Sequence, residues 1–160
     1  MITVTTGAML ADGTLYAGLV YLTGIVAFQL VRYDLPAAAS TKDDKAAQQT
    51  ALRHYTHRKS VDGSYKLVPW ACVSLFVGVV ANLYFRSTNR LEACGTLLAA
   101  FGTAVNNGSN VVNPINEWMA KKDAAKDDKD AVGSLLRQVQ RGHWIDLVGF
   151  AIIFAFAALL

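Results

Sequence analysis

Four apolar runs, at residues 14–31, 67–85, 91–112 and 144–160, alternate with polar stretches along this 160-residue chain. Each is close to the roughly 20 residues a helix needs to cross a hydrocarbon core of about 30 Å. The pattern predicts an all-α integral membrane four-helix bundle: a single four-span domain over residues 1–160, built as two transmembrane hairpins with polar connections at 34–66 and 119–141. The segment GAMLADG at 7–13 extends the first helix outward and leaves Asp12 solvated at the surface. Pro36 closes the first span. Pro69 falls in the opening turn of the second, where its missing N–H is tolerated.

Charge fixes the orientation. Arg32, Lys42, Lys45, Arg53, Arg58, Lys59 and Lys66 precede the second span, and Lys121, Lys122, Lys126, Lys129, Arg137 and Arg141 precede the fourth; only Arg86 and Arg90 lie between the second and third. Basic residues collect on the cytoplasmic or matrix side, so both long connections belong there and both termini belong to the same outer, lumenal or intermembrane side. Trp70, Trp118 and Trp144 at the inner span ends, with Tyr16 and Tyr84 near the outer ends, match the aromatic belts of a bilayer. A net charge of +3 in a chain that is 53% hydrophobic is thereby explained as membrane-side charge, interspersed with Asp43, Asp44, Asp62, Asp123, Asp127, Asp128 and Asp130, and nucleic acid is excluded as a partner. No basic stretch precedes the first apolar run, so that run is expected to be retained rather than cleaved as a signal. Cys72 and Cys94 are expected about 17 Å apart along the bilayer normal, beyond disulfide reach, and to behave as small apolar residues.

The first connection carries a helix of its own. Ser40 with Asp43 reads as an N-terminal cap, and no Gly or Pro interrupts the sequence before Asp62 and Gly63. The segment is polar on most faces, which predicts a helix lying on the inner membrane face or against a partner. His54 and His57 share one face at a spacing that suits a metal, but no third ligand is near, and a solvated basic face is the favoured reading.

Small residues dominate several spans: Gly18, Gly24, Ala17 and Ala27 in the first, and Gly95, Ala99, Ala100 and Ala104 in the third, as close helix packing in lipid requires. The inner half of the third span turns to amides, Asn106, Asn107, Asn110, Asn113 and Asn116. Asn106, Asn110 and Asn113 fall on one α-helical face. Amides at such depth must bond to neighbouring helices, to a polar ligand or to water, and helix-to-helix bonding is the favoured reading. The Asn107-Gly108-Ser109 sequon faces the inner side, where no sugar is attached. Pro114 is expected to drive Asn113 out of helical geometry and to break or kink the helix. Ser134 reads as the cap of a final helix that starts in water and runs to residue 160, about 40 Å. It carries His143 and Asp146 one turn apart, and ionisable residues at this depth are functional candidates.

The segment LLRQVQRGH leading into an apolar helix, NPIN at the end of the third span, and a Gly-containing first span ending at LP together resemble the anthrone-oxygenase-like family of small four-span membrane proteins. His143 matches that family's last-span His, and Pro114 and Asn116 match its Pro-x-Asn element. Val139 and Asp146 stand where the family commonly has Trp and Arg. The resemblance implies a four-helix bundle and a cofactor-free oxygenation of an anthrone to a quinone. His143 would then act as base on a hydrophobic aromatic ligand, with Asn110, Asn113 or Asn116 holding the carbanion and Asp146 beside them; no metal is required.

The favoured functional reading is non-enzymatic: an accessory or assembly subunit of a larger membrane complex, packing through small-residue faces and polar inner connections. Its partners would be the lipid bilayer and protein subunits. A mitochondrial inner membrane, with the basic connections in the matrix, is the preferred location, and the endoplasmic reticulum or a bacterial plasma membrane are alternatives. Transport is disfavoured, because intramembrane charges are few.

Overall fold

The computed structural model describes residues 4–39, 46–61, 66–85, 90–121 and 129–159, and among them every regular element is helical. The helices are α1 (Val4–Gln29), α2 (Leu35–Ala39), α3 (Ala46–Val61), α4 (Val68–Phe85), α5 (Arg90–Asn107), α6 (Asn113–Ala120) and α7 (Lys129–Ala157). Single π turns, Leu30–Asp34 and Gly108–Val112, join α1 to α2 and α5 to α6. Among the described residues two helical stretches, Val4–Ala39 and Val68–Phe85, are long and apolar enough to cross a membrane.

Several expectations shift. Pro36 and Pro114 do not end their helices. Each follows a π turn at the same offset, and Leu35 N–H donates to Leu30 O while Asn113 N–H donates to Gly108 O. A proline within a helix lacks the N–H for the ordinary bond and crowds the carbonyl four residues back. A wide turn just before it changes the bond register, so the chain stays helical and Asn113 keeps right-handed dihedrals of −63° and −48°. Ser134 is no cap: α7 already runs from Lys129, with Ser134 exposed inside it. The expected cap at Ser40 and Asp43 and the turn at Asp62 and Gly63 lie outside the described residues, as does the side chain of His57.

The chain divides into two compact units. The first comprises Met1–Ile25, Leu67–Ala104 and Leu147–Leu160. Within it α1 and α4 approach closely through small residues: a Cβ on Gly18 would stand 2.5 Å from Ala71 O, and one on Gly78 would strike the Leu15 backbone. Ser74 Oγ donates to Thr14 O at 2.7 Å across the same contact. Gly95 lies against the Phe156 ring and Gly149 against Thr103, which brings α5 and α7 together in the same manner. The outward positions of this unit are apolar: Val20, Val73, Val77, Val80, Leu98, Phe101, Val148 and Phe154 are all exposed, Leu98 to 72%. Cys72 and Cys94 are free thiols.

The second unit comprises Val26–Lys66 and Val105–Asp146. Ala37, Ala51, Val111, Ile115, Val132, Leu135, Leu136 and Val139 form its apolar core, with Tyr55 packed among them. The helix expected to be polar on most faces thus has a buried stripe at Ala51 and Tyr55, one turn apart.

Candidate functional site

Polar groups buried in the second unit make two connected clusters. The first is built from three helical segments remote in sequence. Asp34 closes the first π turn and is buried at its end. Tyr55 comes from the buried stripe of α3, and His143 from the face of α7 that also buries Val139 and Asp146. Asp34 Oδ2 lies 2.6 Å from His143 Nδ1. Tyr55 donates its hydroxyl to Asp34 Oδ1. The carboxylate therefore receives one donor on each oxygen, and all three residues are at most 3% exposed.

One consequence falls on the other side of the imidazole ring. With Nδ1–H turned to the carboxylate, the neutral ring carries its lone pair on Nε2, and that atom is buried without a hydrogen-bond partner among the described residues. A carboxylate that fixes the tautomer of a histidine is the arrangement that orients Nε2 as a general base. Tyr55 fixes the carboxylate in turn, and its ring lies 6.0 Å from that of His143.

The second cluster surrounds Asp146, which is fully buried. Asn106 Nδ2 donates to Asp146 Oδ1 at 2.7 Å and to Gly142 O at 2.9 Å. Asn107 Nδ2 donates to Asp146 Oδ2 at 2.7 Å, and Asn110 Nδ2 donates to Asn106 Oδ1 at 2.8 Å. The close approach of the two helices is permitted by Gly142, where a Cβ would meet Val111 at 2.7 Å. The amides bind helices to one another, as the favoured sequence reading expects, but through a carboxylate as well as a carbonyl.

The residues singled out from sequence thus separate. His143, Asp146 and Asn110 are in the clusters; Asn113 and Asn116 are exposed and in neither. The second π turn supplies the reason, because its extra residue rotates the positions after Val112 away from the face of Asn106 and Asn110. The donors assigned to a carbanion are also directed elsewhere, since Asn110 bonds Asn106. Asp34 and Tyr55 were not anticipated. Their signals are faint in the sequence: one acid at the end of an apolar run before Leu-Pro, and a Tyr four residues after a buried Ala. His54 stacks on Tyr33 at 3.7 Å between centroids and 14° between planes. No cluster of three metal-ligating side chains exists among the described residues.

The chain matches no family model, no curated protein and no solved structure.

Proposed function

We propose that this chain is a four-span membrane protein whose Asp34–His143 pair serves as a general base toward a hydrophobic carbon acid. The observation that carries the reading is the buried His143 Nε2, without a partner among the described residues, opposite a carboxylate-held Nδ1. The four spans rest on the apolar runs and on the exposed apolar surface of the first unit, which water would not tolerate over such an extent. Asp34 follows the first run by three residues and His143 immediately precedes the fourth, so both belong at the inner hydrocarbon boundary.

The resemblance to the anthrone-oxygenase-like family suggests the substrate class, a polycyclic aromatic with a C–H flanked by two rings. Nε2 takes the proton, and the electron pair left on carbon spreads into the ring carbonyl. The carbanion adds to dioxygen, the peroxide is protonated, and loss of water with the remaining hydrogen on that carbon gives the quinone carbonyl. Asp34 stabilises the imidazolium, and Tyr55 positions Asp34.

Purified protein in mild detergent, given an anthrone under air, should consume oxygen and form quinone, and His143→Ala should abolish both. Turnover unchanged in that variant, or absent from the folded wild type, would remove the proposal.

A second reading, an accessory or assembly subunit in an organellar inner membrane, draws support from Gly24 and Gly102, exposed positions where an added Cβ would meet nothing within 4 Å. Most of the other glycines in the first unit are already packed within it, which favours the enzyme. Native mass measurement separates the two: stoichiometric foreign subunits support the accessory role, whereas a 17.3 kDa chain alone or in small homo-oligomers supports the enzyme.

A further inference from the structure

Away from the buried clusters, a cleft of about 260 Å³ opens in the second unit, walled by Ala37 and Ala38 of α2, Gln48 of α3, and Leu136, Arg137 and Gln140 of α7. Gln48, Arg137 and Gln140 supply its polar lining. Gly133 completes the lining. A Cβ there would stand 3.4 Å from Arg137 Nη1, an ordinary van der Waals contact, so the guanidinium lies over the glycine. Among the described residues no carboxylate lines the cleft. A guanidinium fork flanked by two amides is matched to the oxygens of a carboxylate or a phosphate. The volume lies below the roughly 300 Å³ at which pockets for whole ligands begin, which suits a head group.

We infer that this cleft is an oxyanion-recognition site for the phosphate or carboxylate head of a ligand. Its walls run into the elements of the buried triad: Ala37 is one turn beyond Asp34, Gln140 one turn before His143, and Gln48 two turns before Tyr55. A head held here leaves the rest of the ligand to extend along the helices that carry those three residues. The inference stands on the cleft's own side chains and does not require His143 to be a base. Two sources offer the same chemistry, a lipid head group and a soluble oxyanion.

The test uses the full-length protein in a neutral maltoside detergent, with the ¹⁵N signal of Arg137 Nε followed during titration with inorganic phosphate and, separately, with short-chain phosphatidylglycerol. Saturable shifts with phosphate support a soluble source, and shifts with the lipid alone support a membrane source. Hydrogen bonds to charged groups contribute about 1.5–3 kcal/mol, so Arg137→Gln should raise Kd, read by calorimetry, about tenfold or more. Arg141→Gln, one turn away on an exposed side chain, should leave Kd unchanged. Arg137 is exposed, so its replacement leaves the fold intact. No shift with either probe at millimolar concentration, equal affinity in Arg137→Gln, or equal loss in Arg141→Gln would each overturn the assignment.

Discussion

Asp34 and His143 lie 109 residues apart in sequence and 2.6 Å apart in space, carboxylate oxygen to imidazole Nδ1. The pairing leaves Nε2 as the acceptor. Replacing Asp34 with Asn keeps the volume but offers an amide N–H that favours the opposite tautomer, with the proton on Nε2. General-base assistance is worth about 10²- to 10⁴-fold, and Asp34→Asn should lose that much. Deuterium uptake by the carbon acid in heavy water, which needs no oxygen, reads the proton transfer alone. Imidazole ¹⁵N shifts should report Nδ1–H in the wild type and a shift toward Nε2–H in the variant. An exchange rate that survives the substitution would show that the carboxylate does not support the base.

Tyr55 acts on the carboxylate and not on a substrate. Its hydroxyl donates to Asp34 Oδ1, and the side chain is 2% exposed. Tyr55→Phe keeps the ring in the core and removes one donor from a buried charge, a loss of about 1.5–3 kcal/mol. The midpoint of chemical unfolding in detergent should fall accordingly. A positioning role also predicts a lower kcat with KM nearly unchanged, whereas a rise in KM alone would point to direct ligand contact.

Asn106 and Asn113 looked equivalent by helical periodicity, yet only the first is at a site. Asn106→Leu removes two bonds from its amide nitrogen and the acceptor for Asn110, and leaves Asp146 with Asn107 as its remaining side-chain donor among the described residues. Leaving buried polar groups unsatisfied costs about 1–3 kcal/mol. Asn113→Leu, at an exposed position, should leave the unfolding midpoint where it is. Equal destabilisation by both would mean that the π turn does not redirect the face as described.

The helical character was legible because long apolar runs and a regular helical period survive in any tertiary context. The amide cluster and His143 with Asp146 were legible for the same reason, since they are polar residues inside such runs. What escaped was decided by backbone register and long-range pairing. Asp34 read as the first residue of a connection, because Pro36 argued for a helix end and nothing local announces a π turn that absorbs the proline. Tyr55 read as part of a solvated helix, because a two-residue stripe at Ala51 and Tyr55 gives too little periodic signal to show a buried face. Asn113 and Asn116 were carried along by an ideal period that the second π turn interrupts.

Two glycines of α1 should respond in opposite senses. At Gly18 an added Cβ would stand 2.5 Å from Ala71 O and 2.6 Å from Leu75 N, and backbone atoms of α4 cannot step aside. Overpacking of this kind costs about 1–3 kcal/mol, and Gly18→Ala should lower the melting temperature. At Gly24 an added Cβ would meet no neighbouring helix or side chain of the described residues within 4 Å. There Ala gains up to about 1 kcal/mol of helix propensity, and the melting temperature should hold or rise. Destabilisation by Gly24→Ala would mean that a partner, such as another subunit, covers that position.

The four-span topology makes a prediction that a two-span chain does not share. Single cysteines at Gln49, Lys121 and Leu159, all exposed positions, are placed in a Cys72→Ser, Cys94→Ser background and probed in sealed vesicles with a membrane-impermeant maleimide. With four crossings, residues 49 and 121 share the basic inner side, and residue 159 faces the other compartment. If only Val4–Ala39 and Val68–Phe85 crossed, residue 121 would instead label together with residue 159. The six Lys and Arg residues between 121 and 141 favour the first outcome, since holding them on the outer side would reverse the charge bias that orients the chain. Labelling of residue 121 in step with residue 49, and opposite to residue 159, is the expected pattern; the alternative pairing would reduce the chain to one hairpin and move the Asp34–His143 pair out of reach of a shared inner leaflet.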